Sequence, residues 1–163
     1  MLNKWSIATC ALVALGLMSF TSVSSNTEMK FVNNKTVQNG TPITWAQLGQ
    51  IDFIKKRDNV YGEVMFPVIH PNLKNLQGKK IVAKGFIVPI DNKSYALSKN
   101  VFAQCFFCGN AGPETIMGIH FKGTTPKLKT DTYVTIEGNF RYNDNNVDDW
   151  IYHIDNAVIT EQK

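Results

Sequence analysis

Arginine is scarce in this chain of 163 residues, which contains only Arg57 and Arg141 and otherwise carries scattered lysines. Nucleic-acid-binding domains usually gather their basic residues into a patch or stripe. A formal net charge of +4 without such a cluster therefore argues against a nucleic-acid partner. Two hydrolase signatures are also missing, because the sequence has neither a Gly-x-Ser-x-Gly elbow nor a His-Glu-x-x-His motif.

The amino-terminal segment has the order of a secretory signal peptide. Met1–Lys4 is basic, Ile7–Phe20 is apolar, and the small residues 21–25 follow. The apolar run is short for a bilayer span, which needs about 20 residues, although an uncleaved anchor is an alternative interpretation. We therefore predict a signal peptide over residues 1–25, and its cleavage removes Cys10. The protein is then exported to the periplasm or the extracellular space, and it meets a membrane only during export.

The rest of the chain has the length and composition of one domain preceded by a leader. Residues 26–40 are polar and poor in large apolar side chains, which predicts a flexible leader. Residues 41–163 are expected to form a single domain. Thr44 and Gln47 have the spacing of a capping box, which predicts a short helix beginning at Trp45.

The domain contains several segments rich in β-branched and aromatic residues and bounded by turn residues, which is typical of short strands. The predicted strands are Lys79–Ile90, Tyr95–Ser98, Thr115–Phe121, Tyr133–Tyr142, and Trp150–Ile154 continued by Ala157–Ile159. Asn143–Asn146 predicts a turn between the last two. An irregular segment, Tyr61–Ile69, contains Pro67 and predicts an edge strand, where proline is tolerated.

Five short strands favour a closed arrangement, because an open sheet of this size leaves its edges and half of its core exposed. Gly85 and Gly138 lie in the middle of two strands, where glycine permits the coiling that closure requires. We predict a mainly β fold, a small five-stranded OB-type Greek-key barrel. A short N-terminal layer, made by the Trp45 helix and the segment Tyr61–Pro71, is expected to pack on it. A β-sandwich is the alternative.

Cys105 and Cys108 are the only cysteines left after removal of the predicted signal peptide, and Gly109 follows them directly. A Cys-x-x-Cys-Gly pair is half of many zinc and iron–thiolate sites. The same pair can form a local disulfide in an oxidising compartment, remain as packed thiols, or cycle as a redox dithiol. The redox interpretation is weakened because Asn110–Pro113 follows, and this segment does not continue as a helix.

A metal site on this pair needs further ligands, and no second Cys-x-x-Cys exists. His120, Glu114 and His70 are the candidates, with His120 twelve residues after Cys108. Zinc is the expected ion. Each histidine also has a structural alternative, since His120 and His153 fall on predicted strands and His70 falls in a turn. The acids Asp144, Asp148 and Asp149 are interpreted as a solvated turn, because they lack the spacing of an EF-hand loop.

The chain resembles an uncharacterised family of small exported bacterial proteins, a domain of unknown function with an OB-like fold and a Cys-x-x-Cys-Gly loop. The similarity runs from about Trp45 to Ile159. It rests on Leu76, Gly78, Lys79, Val82, Gly85, Phe86, Val88 and Pro89, followed by Cys105-Phe106-Phe107-Cys108-Gly109. The family implies no established activity.

We therefore expect an exported, non-catalytic binding module that carries zinc or another transition metal at Cys105, Cys108, His120 and Glu114. One alternative is a structural or interaction module of the cell envelope, with the cysteine pair as a disulfide clamp and an envelope protein or glycan as partner. The other is a thiol oxidoreductase. The sequence leaves the oligomeric state open.

Overall fold

The computed structural model describes residues 39–102 and 111–163. The predicted signal peptide, nearly all of the predicted leader, and Cys105 and Cys108 lie outside these ranges. The elements are, in chain order, β1 (Thr41–Pro42), α1 (Trp45–Leu48), β2 (Ile51–Asp58), β3 (Gly62–Ile69), α2 (Pro71–Lys74), β4 (Lys80–Pro89), β5 (Tyr95–Ser98), a 3₁₀ turn (Pro113–Thr115), β6 (Ile116–Phe121), β7 (Tyr133–Tyr142) and β8 (Tyr152–Gln162).

Five of the strands close into a barrel in the order β4-β5-β6-β8-β7, and β7 pairs back onto β4. All of these pairings are antiparallel except β6 with β8, which is parallel. β4 therefore pairs with both β5 and β7, and β6 lies beside β8. This closed arrangement confirms the predicted small OB-like barrel and rules out the sandwich alternative.

Closure depends on close backbone approaches at the two glycines that the sequence singles out. β4 pairs with β7 from Lys80 to Phe86 and with β5 from Phe86 onward, so Gly85 lies where the strand changes partners. A Cβ atom at Gly85 would lie 2.5 Å from the carbonyl oxygen of Ser98. At Gly138 a Cβ atom would lie 2.5 Å from Ile154 Cγ2, beside an irregularity in the β7–β8 register. A larger side chain at either site would push neighbouring strands apart.

The barrel interior is filled by inward-pointing residues of all five strands. Its fully buried members include Ile81, Leu97, Met117, Phe140 and Ile154. Leu48 of α1 and Ile69 of β3 belong to the same cluster. The N-terminal layer therefore packs on the barrel as predicted.

The capping box at α1 is confirmed. The Thr44 side chain accepts a hydrogen bond from the backbone of Gln47, and the Gln47 side chain accepts one from the backbone of Thr44. Trp45 donates its indole N–H to the carbonyl of Lys84 at 2.8 Å and packs against the core. His70 has a turn role, because its Nδ1 accepts a bond from the backbone of Asn72 at the start of α2.

The predicted strand at Tyr61–Ile69 exists as β3, but its partner β2 was not predicted. β2 and β3 form a two-stranded antiparallel hairpin with Ile51 opposite Ile69. The run Lys55–Arg57 hides β2 in the sequence, because three adjacent charges interrupt the alternation of apolar and polar residues. β2 is nevertheless held by its pairing with β3 and by core contacts of Ile51 and Phe53.

The last strand also differs in detail from the prediction. β8 runs without a break from Tyr152 to Gln162, whereas the sequence indicated two pieces. Asn156 lies between those pieces with a φ of 53°, in the left-handed region that asparagine tolerates better than most residues. The strand continues through this bend because it is paired on both sides, with β6 and with β7. In the part of the chain that the structure describes, no helix has the length and hydrophobicity needed to span a bilayer.

Candidate functional site

A group of ionisable side chains lies on the outer surface of the barrel, where β6, β8 and β7 run side by side. The barrel positions them by register, since His120 is opposite Asp155 and His153 is opposite Arg141. The loop between β7 and β8 adds Asp149. We call this set the histidine–aspartate cluster; its members are His120, Arg141, Asp149, His153 and Asp155.

His120 is oriented by Asp155. Its Nδ1 lies 2.6 Å from Asp155 Oδ1, and its side chain is 58% exposed. An ionised carboxylate can only accept hydrogen bonds, so Nδ1 is the donor of this pair. A neutral His120 therefore carries its lone pair on Nε2. This is the arrangement that metal-binding histidines commonly adopt, with a carboxylate fixing the tautomer from behind.

Arg141 joins the two carboxylates of the cluster. Its Nε donates to Asp155 Oδ2 at 2.8 Å, and its Nη1 lies 3.5 Å from Asp149 Oδ2. Burial by itself would raise the pKa of Asp155. The hydrogen bonds from Arg141 and His120 outweigh burial, so the pKa lies below its ordinary value. Asp155 is therefore ionised at neutral pH and accepts from both partners.

His153 is the buried member of the cluster, with 1% of its surface exposed. Its Nε2 lies 3.0 Å from the carbonyl oxygen of Trp150 and 3.1 Å from Asp149 Oδ2, so this nitrogen carries the proton. Burial and the charge of Arg141 lower the pKa of His153, against opposing effects of Asp149 and the Trp150 carbonyl. His153 is thus a neutral residue that ties the β7–β8 loop to the barrel.

The rest of the His153 ring makes one further contact. Its Nδ1 is buried without a hydrogen-bond partner in the described parts of the chain. The ring stacks on that of His120 with centroids 5.4 Å apart and planes inclined by 24°. The sequence placed His153 on a strand in a structural role, and the structure agrees. His120, in contrast, is exposed and oriented.

Glu114 lies far from His120. It belongs to the 3₁₀ turn before β6, whereas His120 is the next-to-last residue of that strand. At about 3.3 Å per residue, the strand alone separates Ile116 from His120 by about 13 Å. The Glu114 carboxylate folds back toward Gly112 and lies near Tyr152, whose pKa is raised by burial and, to a smaller degree, by Glu114.

The predicted metal ligands are therefore only partly located. Cys105 and Cys108 lie outside the described residues, so the sulfur positions are not placed. Among residues 39–102 and 111–163, no group of three histidine, cysteine, aspartate or glutamate side chains could hold a metal ion. The site proposed from the sequence stays a prediction; of its members, Glu114 precedes β6 and His120 lies near the end of that strand.

Sequence reasoning missed Arg141, Asp149 and Asp155. Asp149 lies in an exposed turn, as predicted, and its carboxylate in addition contacts His153 and Arg141. Asp155 and His153 are two residues apart on one strand, a spacing that places them on the same face. That spacing was the available signal, but only the pairing of β8 with β6 brings His120 next to Asp155.

A groove of about 330 Å³ lies beside the cluster, between the β2–β3 hairpin and the β7–β8 loop. The loop is held by Asn143, whose Nδ2 donates to the carbonyls of Asn146, Asp149 and Trp150. The hairpin is held to the same loop by a hydrogen bond of 2.7 Å from the Tyr61 hydroxyl to Asp148. Asp149 both lines the groove and belongs to the cluster.

Comparison with known proteins finds no match to a protein-family model, to a curated protein or to a solved structure. The resemblance to a family of exported proteins therefore stays a prediction.

Proposed function

We propose that this chain is an exported, non-catalytic binding module of OB type that takes up a transition metal ion, with zinc the first candidate, through Cys105, Cys108 and His120. The observation that carries the proposal is the 2.6 Å contact between His120 Nδ1 and Asp155. In the described segments, this contact leaves the lone pair on Nε2 of an exposed imidazole available to a metal ion. Thiolate and imidazole together form a ligand set that suits zinc.

The geometry favours His120 over Glu114 as the third ligand. His120 has a carboxylate behind it, and Arg141 holds that carboxylate in place. Such outer partners typically raise metal affinity by about 10- to 100-fold. Glu114 lies at the far end of β6, with its carboxylate directed toward Gly112. One position of a tetrahedral zinc ion then remains for water or for a ligand from a partner.

A binding role is favoured over hydrolytic catalysis by the partners of the two clustered histidines. In the described segments, the hydrogen bonds of His120 and His153 go to Asp155, Asp149 and a backbone carbonyl. None of these partners is a serine or threonine hydroxyl, the nucleophile that a histidine base activates in serine-type hydrolases. The alternatives of a disulfide clamp and a thiol oxidoreductase concern the cysteine loop and are separated by experiment.

Zinc titration of the reduced mature protein against a chromogenic chelator tests the proposal. We expect one equivalent of zinc, lost in Cys105→Ser and Cys108→Ser and weakened in His120→Gln. Asp155→Asn, which keeps the size of the side chain, should weaken binding by about 10- to 100-fold. Glu114→Gln is the matched control and should bind like the unmodified chain. Absence of zinc binding by the reduced protein would overturn the proposal.

Two readouts identify the alternatives. Intact mass of protein prepared without reductant shows a loss of two hydrogen atoms if the cysteines form a disulfide. If such a protein also binds no zinc after reduction, the clamp is the correct interpretation. An insulin-reduction assay identifies an oxidoreductase. Zinc affinity should also fall as the pH is lowered, because protons compete for sulfur and imidazole.

A further inference from the structure

Exposed apolar side chains are concentrated in the β2–β3 hairpin. Nine large apolar residues are exposed in the described ranges, and five of them belong to the hairpin: Ile54, Val60, Tyr61, Met65 and Val68. Single exposed apolar residues are ordinary, whereas several on one element are typical of an interaction surface. Ile54 is the one that lies on β2, and its side chain is 45% exposed.

β2 has an edge that is available for pairing. It pairs with β3 on one side, and no strand in the described parts of the chain lies beside its other edge. Turns and loops in the same parts form no backbone hydrogen bond with β2 either. The strand contains no proline, so every residue retains its N–H group. An edge of this kind can pair with a strand of another molecule.

A second copy of β2 can pair with this edge in an antiparallel sense only in certain registers. Opposite residues of an antiparallel pair point to the same face, and the faces alternate along each strand. Two identical strands therefore pair about a residue that lies opposite its own copy. With Ile54 at this centre, Asp52 lies opposite Lys56 of the second copy, and Lys56 lies opposite Asp52.

The neighbouring registers lack this match. A centre at Phe53 places Asp52 opposite Ile54 and forms no pair of opposite charges. A centre at Lys55 places two lysines opposite each other and also places Asp52 opposite Asp58. Opposite charges in direct cross-strand pairs stabilise a sheet, and like charges destabilise it. Charge complementarity therefore selects the register centred on Ile54, in which the two exposed isoleucine side chains also contact each other.

The other charges of the hairpin do not oppose this pairing. Lys55 lies 3.3 Å from Glu63, and Arg57 is opposite Glu63 in the β2–β3 register. In the described ranges neither Asp52 nor Lys56 forms an ion pair. Lysines on a free edge usually prevent pairing, but here Lys56 meets a carboxylate. The two strands carry equal numbers of acidic and basic residues: Asp52, Asp58 and Glu63 against Lys55, Lys56 and Arg57.

We propose that the mature protein forms a two-fold symmetric homodimer in which β2 pairs antiparallel with β2 of a second copy about Ile54. The two hairpins then form one four-stranded sheet in the order β3-β2-β2-β3. Pairing along a single strand buries a small area, so the dimer is weak and its population depends on concentration. The interface is independent of the cysteine loop and of the metal proposal.

Sedimentation equilibrium over a dilution series of the mature protein tests this proposal. Reductant and a chelator are present, so that neither an intermolecular disulfide nor a shared metal ion can join two copies. We expect the mass of a dimer at high concentration and that of a monomer on dilution. Asp52→Lys and Lys56→Glu should each raise the dissociation constant about tenfold, because both symmetric pairs then bring like charges together.

Two combinations of these substitutions test the register. An equimolar mixture of Asp52→Lys and Lys56→Glu should associate again, because each residue of one variant then faces an opposite charge on the other. The double variant should also dimerise, since its two pairs are reversed but intact. Both positions are exposed, so thermal unfolding of the variants should stay unchanged.

Val158→Lys is the matched control, because Val158 is 47% exposed and lies on β8, outside the hairpin. It should dimerise like the unmodified chain. A monomer at every concentration would overturn the proposal. Association that survives both single substitutions would place the interface elsewhere and overturn it as well. Failure of the mixture and of the double variant to associate would also contradict it.

Discussion

The imidazole of His153 lies directly against the backbone of Gly118, its cross-strand neighbour on β6. A Cβ atom at residue 118 would be 2.7 Å from His153 Nδ1 and 3.1 Å from Trp150 Cδ1. Gly118 is therefore the residue that leaves room for the buried histidine. The His153 ring in turn holds the β7–β8 loop. The absence of a side chain at Gly118 on β6 therefore determines the position of a loop that joins two other strands.

Gly118→Ala should destabilise the protein by roughly 1–3 kcal/mol, the usual cost of overpacking a tight interior site. Chemical denaturation measures this. Gly112→Ala is the control, because the atoms nearest to its new Cβ would belong to the Glu114 carboxylate, at the end of a side chain that can move. Similar losses in both variants would show that His153 does not depend on the space at Gly118.

Stability should fall as the pH drops below the ordinary histidine value of 6.5, because burial lowers the pKa of His153 in the folded protein. The unfolded chain then binds the proton more readily, so acid favours unfolding. The slope is at most about 1.4 kcal/mol per pH unit for one group. The lowered pKa of Asp155 acts separately, because its stabilisation is lost only below about pH 4.

His153→Gln checks the origin of this slope. The variant should be less stable at neutral pH, and its stability should vary less between about pH 6.5 and 5. The unmodified chain, measured over the same pH range, is the reference. A pH profile of His153→Gln identical to that of the unmodified chain would assign the effect to a group other than His153.

Arg141→Met should cost about 1–3 kcal/mol, since it removes the charge-assisted hydrogen bond to Asp155 and the ion pair with Asp149 while both carboxylates remain in place. Amide exchange in the β7–β8 loop should accelerate as well, because Asp149 loses one of its partners. Lys55→Met removes an exposed pair with Glu63 and should change stability by less than about 1 kcal/mol. Equal effects of the two substitutions would mean that Arg141 forms only an ordinary surface pair.

Tyr61→Phe should loosen the hairpin from the β7–β8 loop without unfolding the barrel. It removes the hydrogen bond to Asp148 between two exposed residues, so the expected loss of stability is small. Hydrogen exchange should become faster at the tip of the hairpin and near Asp148. Tyr133→Phe is a suitable control, because the Tyr133 ring packs edge-on against Phe86. Unchanged exchange in Tyr61→Phe would show that the bond does not restrain the hairpin.

The barrel strands could be predicted because their signals are local. β7 has the predicted bounds, Tyr133–Tyr142, since an apolar residue recurs on its inner face between clear turn signals. β2 could not be predicted in this way, because Lys55, Lys56 and Arg57 hide the alternation. Its strand conformation depends on pairing with β3, and the local sequence of β2 carries no signal for that pairing.

The candidate site was predicted in part. His120 was identified by residue type and by its distance along the chain from Cys108. Glu114 was selected on the same grounds, but the strand between them holds the two residues apart. Spacing in the sequence does not show whether the intervening residues coil or extend. Along an extended strand a few residues are enough to place two side chains beyond a common ion.

The amino-acid sequence by itself determined the strand-forming segments, the helix cap at Thr44 and the closure of a small barrel, because these follow from local propensity and from the need to bury one face of each strand. The tertiary structure alone decided that His120 meets Asp155, 35 residues away, and that Arg141 and Asp149 join them. The physical reason is strand register. A shift of one residue between β6 and β8 would turn these side chains to opposite faces, and the choice of register is made by the packing of the whole barrel.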